Sequence, residues 1–325
     1  MNYLKTFLPY LFGNKMGKSL EISLPDNLNF SALSFEETLM FKSLSNNLDG
    51  YIENLDLKSL KKNEIYQIFN FINFINSDLA IKIKSQFPQE GKFFLEAKKS
   101  SAINIPELQD LLDLKNNVLT IFALLPSNRS QKGKLIIRTS EGSFVKDEAG
   151  NIWSTPVIGL SGRGLPFNHS NGDTPMGVFT IDSVMPEANK NYEFGEFRRL
   201  IVNFIKESQD ESGFKKYLPK SHLSLSWWKQ SLVARDLGRS LLRIHGTGRK
   251  NHNIFSSYFP LVPTSGCLAT NEAQLFGIYK RQDQRLLLDT LMKAQGLLPC
   301  FENELKIHGL LYVVEFDDNL NALVF

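Results

Sequence analysis

The chain has 325 residues, 42% of them hydrophobic, so it can bury a large core, and its length predicts two domains. Its formal net charge is only +3, and no Lys/Arg-rich stripe is interleaved with aromatic residues, so nothing supports nucleic-acid binding. No apolar run reaches the roughly 18 residues that a membrane-spanning helix needs, so we expect no such segment.

The first residues of the chain, 1–13, carry one lysine and a short apolar run. They make a poor signal peptide, because the apolar run is at the lower limit of the usual length. No Ala-x-Ala-like cleavage site follows it.

A helical pattern begins near Ser34. Ser34 and Glu37 have the spacing of a capping box, in which each side chain accepts a hydrogen bond from the other residue's amide. Between Leu57 and Ile75, apolar residues recur at steps of three and four, which predicts a helix.

Further helical patterns cover residues 79–87 and 106–114, with Pro88 and Gly91 as breaks. We therefore predict a helical N-terminal domain over residues 1–115. Three roles are open for it: docking on the second domain, formation of a homodimer, and guidance of the protein to its substrate.

From residue 116 onward the pattern changes to short β-rich runs separated by turn residues. The predicted strands are residues 118–125, 134–139, 153–160, 177–184, 241–245 and 310–316. Helical patterns interrupt them at residues 221–237 and 271–295. The predicted fold class is therefore α+β, with a mainly β domain over residues 116–325.

Two short runs in this second domain carry chemistry. Ile244–Thr247 contains His245 and a glycine, and Pro263–Leu268 contains Cys267 and a glycine beside it. A base, a thiol and an adjacent glycine are the minimum set for a cysteine acyl-transfer site. A thiol of ordinary pKa is only slightly ionised at neutral pH, so Cys267 needs a neighbouring base, and His245 is the best candidate. This hypothesis requires Cys267 to be a free thiol, not paired with Cys300.

The surroundings of the two residues suggest how each is presented. His245 ends an apolar strand, and Gly246 permits a tight turn after it. Cys267 precedes residues 271–274, which are predicted to open a helix whose dipole would stabilise the thiolate. The backbone amides of Ser265, Gly266 and Cys267 are predicted oxyanion donors.

The order His-Gly, loop, Thr/Ser-x-Gly-Cys resembles the active-site signature of the L,D-transpeptidase catalytic domain (YkuD-type). Gly172–Ile181 is similar to the family's Thr-Pro-x-Gly-x-Phe-x-Ile strand, and Gly162 stands where the family has a small turn residue. Three matches in the right order are more specific than one. The resemblance implies a β-sandwich-like catalytic domain that acts on peptidoglycan stem peptides.

Two positions depart from the family pattern. Ser265 stands where the usual signature has a histidine before Gly-Cys, and Ala269 stands where asparagine or arginine is common. A divergent branch of the superfamily has such a sequence, so the departures are compatible with an active enzyme. They bear on substrate binding and on the choice between transfer and hydrolysis. Three functions stay open: an active enzyme, a module that binds stem peptides without chemistry, and a cysteine hydrolase or acyltransferase for an unrelated cytoplasmic amide.

The resemblance implies that Cys267 forms a thioester with the stem peptide while His245 moves the proton. An amine then gives a 3-3 cross-link, or water gives a trimmed peptide. We expect residues near the motifs to complete the oxyanion and substrate-binding set: Thr264, Ser265, Gly266, Gly246, Thr247 and Arg249. Arg163, Arg243 or Arg249 could bind substrate carboxylates.

No metal and no cofactor are expected. The resemblance implies a location in the periplasm or cell envelope, which conflicts with the poor signal peptide. An atypical signal, a shortened start or a different export route would be needed.

Overall fold

The computed structural model describes residues 33–100, 102–206, 211–247, 255–272, 274–275, 278–279 and 282–316. Two sequence predictions, the signal-peptide assignment of residues 1–13 and the substrate-binding role of Arg249, lie outside the described residues.

The first part of the chain is helical. Its helices are α1 (Phe35–Leu44), α2 (Leu48–Glu53), α3 (Lys62–Asn70), α4 (Ser77–Gln86), α5 (Pro88–Lys98) and α6 (Ile105–Asp113). The capping box that was predicted for α1 is confirmed: Ser34 N donates to the Glu37 carboxylate at 2.9 Å, and Glu37 N donates to Ser34 Oγ at 3.3 Å.

The single helix predicted between Leu57 and Ile75 is wrong. Two 3-10 turns, Leu57–Ser59 and Ile72–Phe74, flank α3 there. Leu60 has an extended backbone (φ −66°, ψ 138°), which separates the first turn from α3. The apolar spacing is helical throughout, but the backbone adopts one helix and two short turns.

The predicted break at Pro88 is confirmed, because α4 ends at Gln86, whereas the predicted break at Gly91 is wrong. Pro88 is the first residue of α5, where its missing N–H costs nothing. Gly91 lies inside α5, and a Cβ atom there would come within 2.7 Å of the Phe69 ring. The glycine therefore permits close packing of α5 on α3.

Eight strands of the second part form a closed barrel, in the order β1-β10-β4-β5-β6-β7-β3-β2. They are β1 (Thr120–Pro126), β2 (Gly133–Arg138), β3 (Ser154–Ile158), β4 (Gly177–Val184), β5 (Leu200–Phe204), β6 (Leu242–Gly246), β7 (Leu268–Thr270) and β10 (His308–Phe316). The α+β class is confirmed, and the sandwich-like arrangement is not. All six predicted strands have counterparts, whereas β5 and β7 were not predicted.

The helices of this part lie between strands. They are α7 (Asn191–Phe194), α8 (Glu211–Lys215), α9 (Lys229–Asp236), α10 (Asp283–Ala294) and α11 (Phe301–Glu304), with a 3-10 turn at Lys220–Ser224. The helix that was predicted over residues 271–295 begins only at Asp283. Two short strands, β8 (Gln274–Leu275) and β9 (Ile278–Tyr279), pair with each other before it.

The helical part packs against the loop that will form one side of the site. Leu165 and Phe167 of this loop share an apolar cluster with residues of α1, α3, α4 and α5. Asn70 of α3 donates a hydrogen bond to the carbonyl oxygen of Asn168 at 2.9 Å. None of the helices among the described residues has the length and apolar character needed to cross a bilayer.

Candidate active site

Residues 264–267, called the cysteine turn below, are fixed by two threonine hydroxyls. Thr264 Oγ1 donates to Cys267 O at 2.7 Å and accepts from Gly266 N at 3.2 Å. Thr174 Oγ1 lies 3.0 Å from Gly266 O and 3.2 Å from Cys267 O, so its proton is shared between the two carbonyls. These bonds leave the turn little conformational freedom.

Gly266 is required in this turn for two reasons. Its φ of 107° is in the left-handed region, which L side chains rarely adopt, and a Cβ atom would overlap the guanidinium of Arg239. That guanidinium donates to the backbone oxygens of Phe167, Gly172 and Asp173. Burial lowers the pKa of Arg239 to about 10, so it remains charged at neutral pH and holds the loop beside the turn.

The three segments that carry the family resemblance meet at this turn. Gly162 N donates to Thr264 O at 2.7 Å, and Thr264 N donates to Leu160 O at 2.9 Å. Thr174 belongs to the second motif and bonds the turn from another direction. Residues that are distant in sequence therefore form one site.

Cys267 is a half-buried free thiol immediately before β7. Its Sγ lies 3.8 Å from the carbonyl oxygen of Leu241. Burial raises the pKa of the thiol above its ordinary value, although the backbone of Arg243 and the charges of Arg243, Arg239 and Arg199 oppose the rise. Cys267 is therefore a neutral thiol at neutral pH.

The predicted helix start after Cys267 is wrong. The chain enters β7 directly, and β7 pairs in parallel with β6, with Leu268 opposite Ile244. Pairing with β6 outweighs the helical pattern of the segment that follows. No helix dipole acts on the thiol from this side, so the positive charge near it comes from arginine side chains.

His245 is buried near the end of β6, opposite Ala269 of β7. Its Nδ1 lies 2.5 Å from Gly246 O, and because a carbonyl oxygen can only accept, Nδ1 carries the proton. Its Nε2 is buried and has no hydrogen-bond partner among the described residues. The lone pair on Nε2 is therefore not used by any hydrogen bond among the described residues.

An aromatic ring and an arginine define the other side of the imidazole. The Phe194 ring packs edge-on against His245 at 4.9 Å between ring centroids, and the Arg199 guanidinium lies 4.5 Å from the Phe194 centroid. Burial lowers the pKa of His245 to about 4, the Arg199 charge adds to this, and the Gly246 carbonyl opposes it. The imidazole is neutral at pH 7, as a general base must be.

Cys267 and His245 line one open cavity of about 540 Å³. This volume is in the range of roughly 300–1,000 Å³ that is typical of small-molecule sites. Of the predicted binding residues, three also line it: Thr247, Thr264 and Ser265. Gly266 and Gly246 lie next to lining residues and fix the backbone there.

Arg163 and Arg243, two of the arginines predicted to bind a substrate carboxylate, differ in the partners of their guanidinium groups. Arg163 lines the cavity, and its guanidinium has no hydrogen-bond or ion-pair partner within the described ranges. Arg243 lies beside the thiol, but its guanidinium donates to Leu242 O at 2.6 Å and to Met185 Sδ at 3.4 Å. Arg163 is therefore the one that is ready to bind an anionic group in the cavity.

The backbone amides of the cysteine turn are not equivalent. The amide of Gly266 already donates to Thr264 Oγ1. The amides of Ser265 and Cys267 have no acceptor in the part of the chain that the structure describes. Of the three predicted oxyanion donors, these two can bind a new oxygen without losing a bond.

The two departures from the family pattern have different surroundings. Ser265 is exposed and lines the cavity, so a polar side chain there meets solvent or substrate. Ala269 is fully buried in an apolar cluster with Ile158 and Leu261, where a polar side chain would be costly.

Glu272, which sequence reasoning missed, lies against Gly246, the residue that follows His245. The residue is fully buried, its Oε2 accepts from Glu196 N at 2.8 Å, and its Oε1 has no partner among the described residues. Burial raises the pKa of its carboxyl to about 7. The only available sequence signal was a carboxylate close after the cysteine motif, and nothing local indicates that it folds back onto Gly246.

The described residues contain no group of three or more His, Cys, Asp or Glu side chains suited to a metal ion. Comparison with protein-family models, with curated proteins and with solved structures found no match. Function must therefore be argued from the geometry of the site.

Proposed function

We propose that the protein is a cysteine-dependent acyl-transfer enzyme that acts on peptidoglycan stem peptides, as an L,D-transpeptidase or an L,D-carboxypeptidase. One observation carries the proposal: a free thiol and a neutral imidazole with an available Nε2 lone pair line the same open cavity. The convergence of the three motifs on the cysteine turn supports this substrate class. Stem peptides lie in the cell envelope, so we propose that the protein works there.

The two protonation states define the first step. Because the pKa of Cys267 is raised and that of His245 is lowered, the resting pair is a thiol and a neutral imidazole. Sγ attacks the carbonyl carbon of the third stem residue while His245 Nε2 takes the thiol proton. Proton transfer thus accompanies attack, because an ion pair in the empty site would be disfavoured by burial.

The tetrahedral intermediate carries a negative oxygen, which the free amides of Ser265 and Cys267 can bind. Collapse of the intermediate breaks the C–N bond, and the imidazolium of His245 returns its proton to the departing amine of D-alanine. The remaining thioester is attacked by an amine, giving a 3-3 cross-link, or by water, giving a tripeptide. His245 accepts the proton of either nucleophile.

Arg163 supplies the positive charge that binds a carboxylate of the stem peptide. Stem peptides carry carboxylates, and a guanidinium without a partner at the cavity wall binds such a group through paired N–H donors. Ser265 and Thr264 at the turn add hydroxyl groups, where the family has an imidazole before the glycine.

The proposal is tested by mass spectrometry of protein incubated with a disaccharide-tetrapeptide. The chain offers a matched control, because Cys300 is also a half-buried free thiol but does not line the cavity. Wild type and Cys300→Ala should release D-alanine, and Cys267→Ala should not. His245→Gln should reduce the rate by about 1,000-fold, since it removes the base.

The product identifies the subclass. A tripeptide means a carboxypeptidase, and a cross-linked dimer means a transpeptidase. Absence of both products and of any thioester adduct on Cys267 would overturn the proposed activity, and a module that only binds stem peptides would replace it.

A further inference from the structure

The carboxyl group of Glu272 packs on two glycines, each of which follows a residue important to the imidazole. Gly246 follows His245 itself, and Gly195 follows Phe194. A Cβ atom at either glycine would overlap the Glu272 carboxyl group. The carboxyl therefore rests directly on both backbone segments.

Both segments contact the imidazole. The Gly246 carbonyl accepts the Nδ1 proton of His245, and the Phe194 ring packs edge-on against the imidazole. We propose that Glu272 is a positioning residue, whose carboxyl group holds these two segments and so keeps the His245 imidazole in place at the wall of the cavity that Cys267 also lines. This rests on the proposed function, in which His245 is the base.

Hydrogen bonds on both sides of Glu272 keep it in place. Its Oε2 accepts from Glu196 N at 2.8 Å, which anchors the segment after Gly195, and its own amide donates to Thr247 Oγ1 at 3.3 Å, which anchors the segment after Gly246. The second carboxyl oxygen, Oε1, faces Gly246 and has no partner in the described ranges.

The charge of Glu272 changes near neutral pH. Burial raises its pKa to about 7, the Glu196 carboxylate adds to the rise, and the amides of Glu196 and Phe197 oppose it. The His245 imidazole is neutral at this pH, so it does not compensate the charge. Ionisation makes the bond from Glu196 N charge-assisted and therefore stronger. The hold on the imidazole tightens as the pH rises through 7.

Nuclear magnetic resonance of histidine labelled at Cε1 tests this directly in the full chain, with the His245 signal assigned through His245→Gln. The wild-type signal should move twice, near pH 4 as the imidazole titrates and near pH 7 as Glu272 titrates. Glu272→Gln should abolish the step near pH 7 and keep the other. Glu196→Gln should shift the step near pH 7 to lower pH, because it removes the carboxylate that raises the pKa of Glu272.

Turnover of the disaccharide-tetrapeptide provides a second measurement. Glu272→Gln keeps the shape and the acceptor of the protonated carboxyl, so its kcat should match wild type at pH 6 and fall about tenfold below it at pH 8. Glu272→Ala should lose kcat about 100-fold at both pH values, with KM changed less than about twofold. A residue that only stabilised the fold would not produce this pH-dependent difference.

The two proposals fail differently. If no variant turns over substrate, the proposed function is wrong, while the resonance titration still tests the position of Glu272. If the step near pH 7 persists in Glu272→Gln, it belongs to the imidazole itself, and the positioning role is wrong. If Glu272→Ala does not fold, the Glu196→Gln variant still tests the proposal. A resonance step that stays at the wild-type pH in Glu196→Gln would overturn it.

Discussion

The two sides of the cavity differ in how their polar groups are satisfied. On the cysteine side, hydroxyls of Thr264 and Thr174 and the guanidinium of Arg239 bond the backbone of the turn and its neighbouring loop. On the histidine side, two buried acceptors, His245 Nε2 and Glu272 Oε1, have no partner among the described residues.

This difference corresponds to the roles we propose. The nucleophile must be held still, and satisfied hydrogen bonds do that at little electrostatic cost. The base must keep a lone pair unused until substrate arrives. Burying polar atoms without hydrogen bonds on this side lowers the stability of the fold. We therefore expect substitutions on the cysteine side to act through geometry, and substitutions on the histidine side to act through pH.

Apart from removal of the thiol or the base itself, the largest effect is expected at Gly266. Gly266→Ala places a Cβ atom against Arg239 in a left-handed conformation, so the free energy of unfolding should fall by about 3 kcal/mol and turnover by at least about 100-fold. Gly238→Ala is the matched control, because its φ of 83° is also left-handed but its Cβ atom meets open space. It should cost only about 1 kcal/mol and leave turnover unchanged. Urea unfolding and turnover assays measure both, and equal losses would contradict a rigid turn.

A pH-dependent effect on stability is expected from Glu272. Its folded-state pKa of about 7 is above its ordinary 4.5, so the folded protein binds the extra proton and loses stability as pH rises between these values. Between pH 5 and 8 wild type should lose about 2 kcal/mol that Glu272→Gln does not lose. Urea unfolding at the two pH values measures this. Glu148→Gln removes an exposed carboxyl and should lose as much stability as wild type. An equal loss in wild type, Glu148→Gln and Glu272→Gln would refute the raised pKa of Glu272.

A smaller effect is expected at Thr174. Thr174→Val removes the hydroxyl that bonds the carbonyls of the cysteine turn, so the unfolding free energy should fall by about 1.5 kcal/mol and kcat by about tenfold. Thr155→Val is the control, since its buried hydroxyl has no partner among the described residues. That substitution should leave stability unchanged or slightly raised. Equal effects of both would mean that the Thr174 hydroxyl contributes nothing to the turn.

The smallest effect is expected at Arg163. Arg163→Gln should raise KM for the disaccharide-tetrapeptide about tenfold with kcat nearly unchanged, because a bond to a carboxylate away from the reacting atoms contributes uniform binding. Lys134→Gln removes a positive charge that does not line the cavity and should change neither constant. Steady-state kinetics at low salt measures both, and a fall in kcat alone would assign Arg163 another role.

The success of sequence reasoning differs along the chain for physical reasons. The capping box of α1 was predictable because its partners are three residues apart. Strands such as β4 were predictable because their apolar runs are long, whereas β7 has three residues and exists through pairing with β3 and β6. The segment after β7 has a helical pattern from residue 271, yet the helix begins only at Asp283.

The sequence by itself determined the chemical groups of the site and their order: a histidine followed by glycine, a turn that ends in Gly-Cys, and a threonine motif upstream. Tertiary structure alone decided which protons those groups carry and which partners they keep. Burial in the folded barrel lowers the pKa of His245, and the fold places the Glu272 carboxyl against Gly246 and Gly195. The reason is that motifs depend on neighbours along the chain, whereas burial and electrostatic interactions depend on neighbours in space.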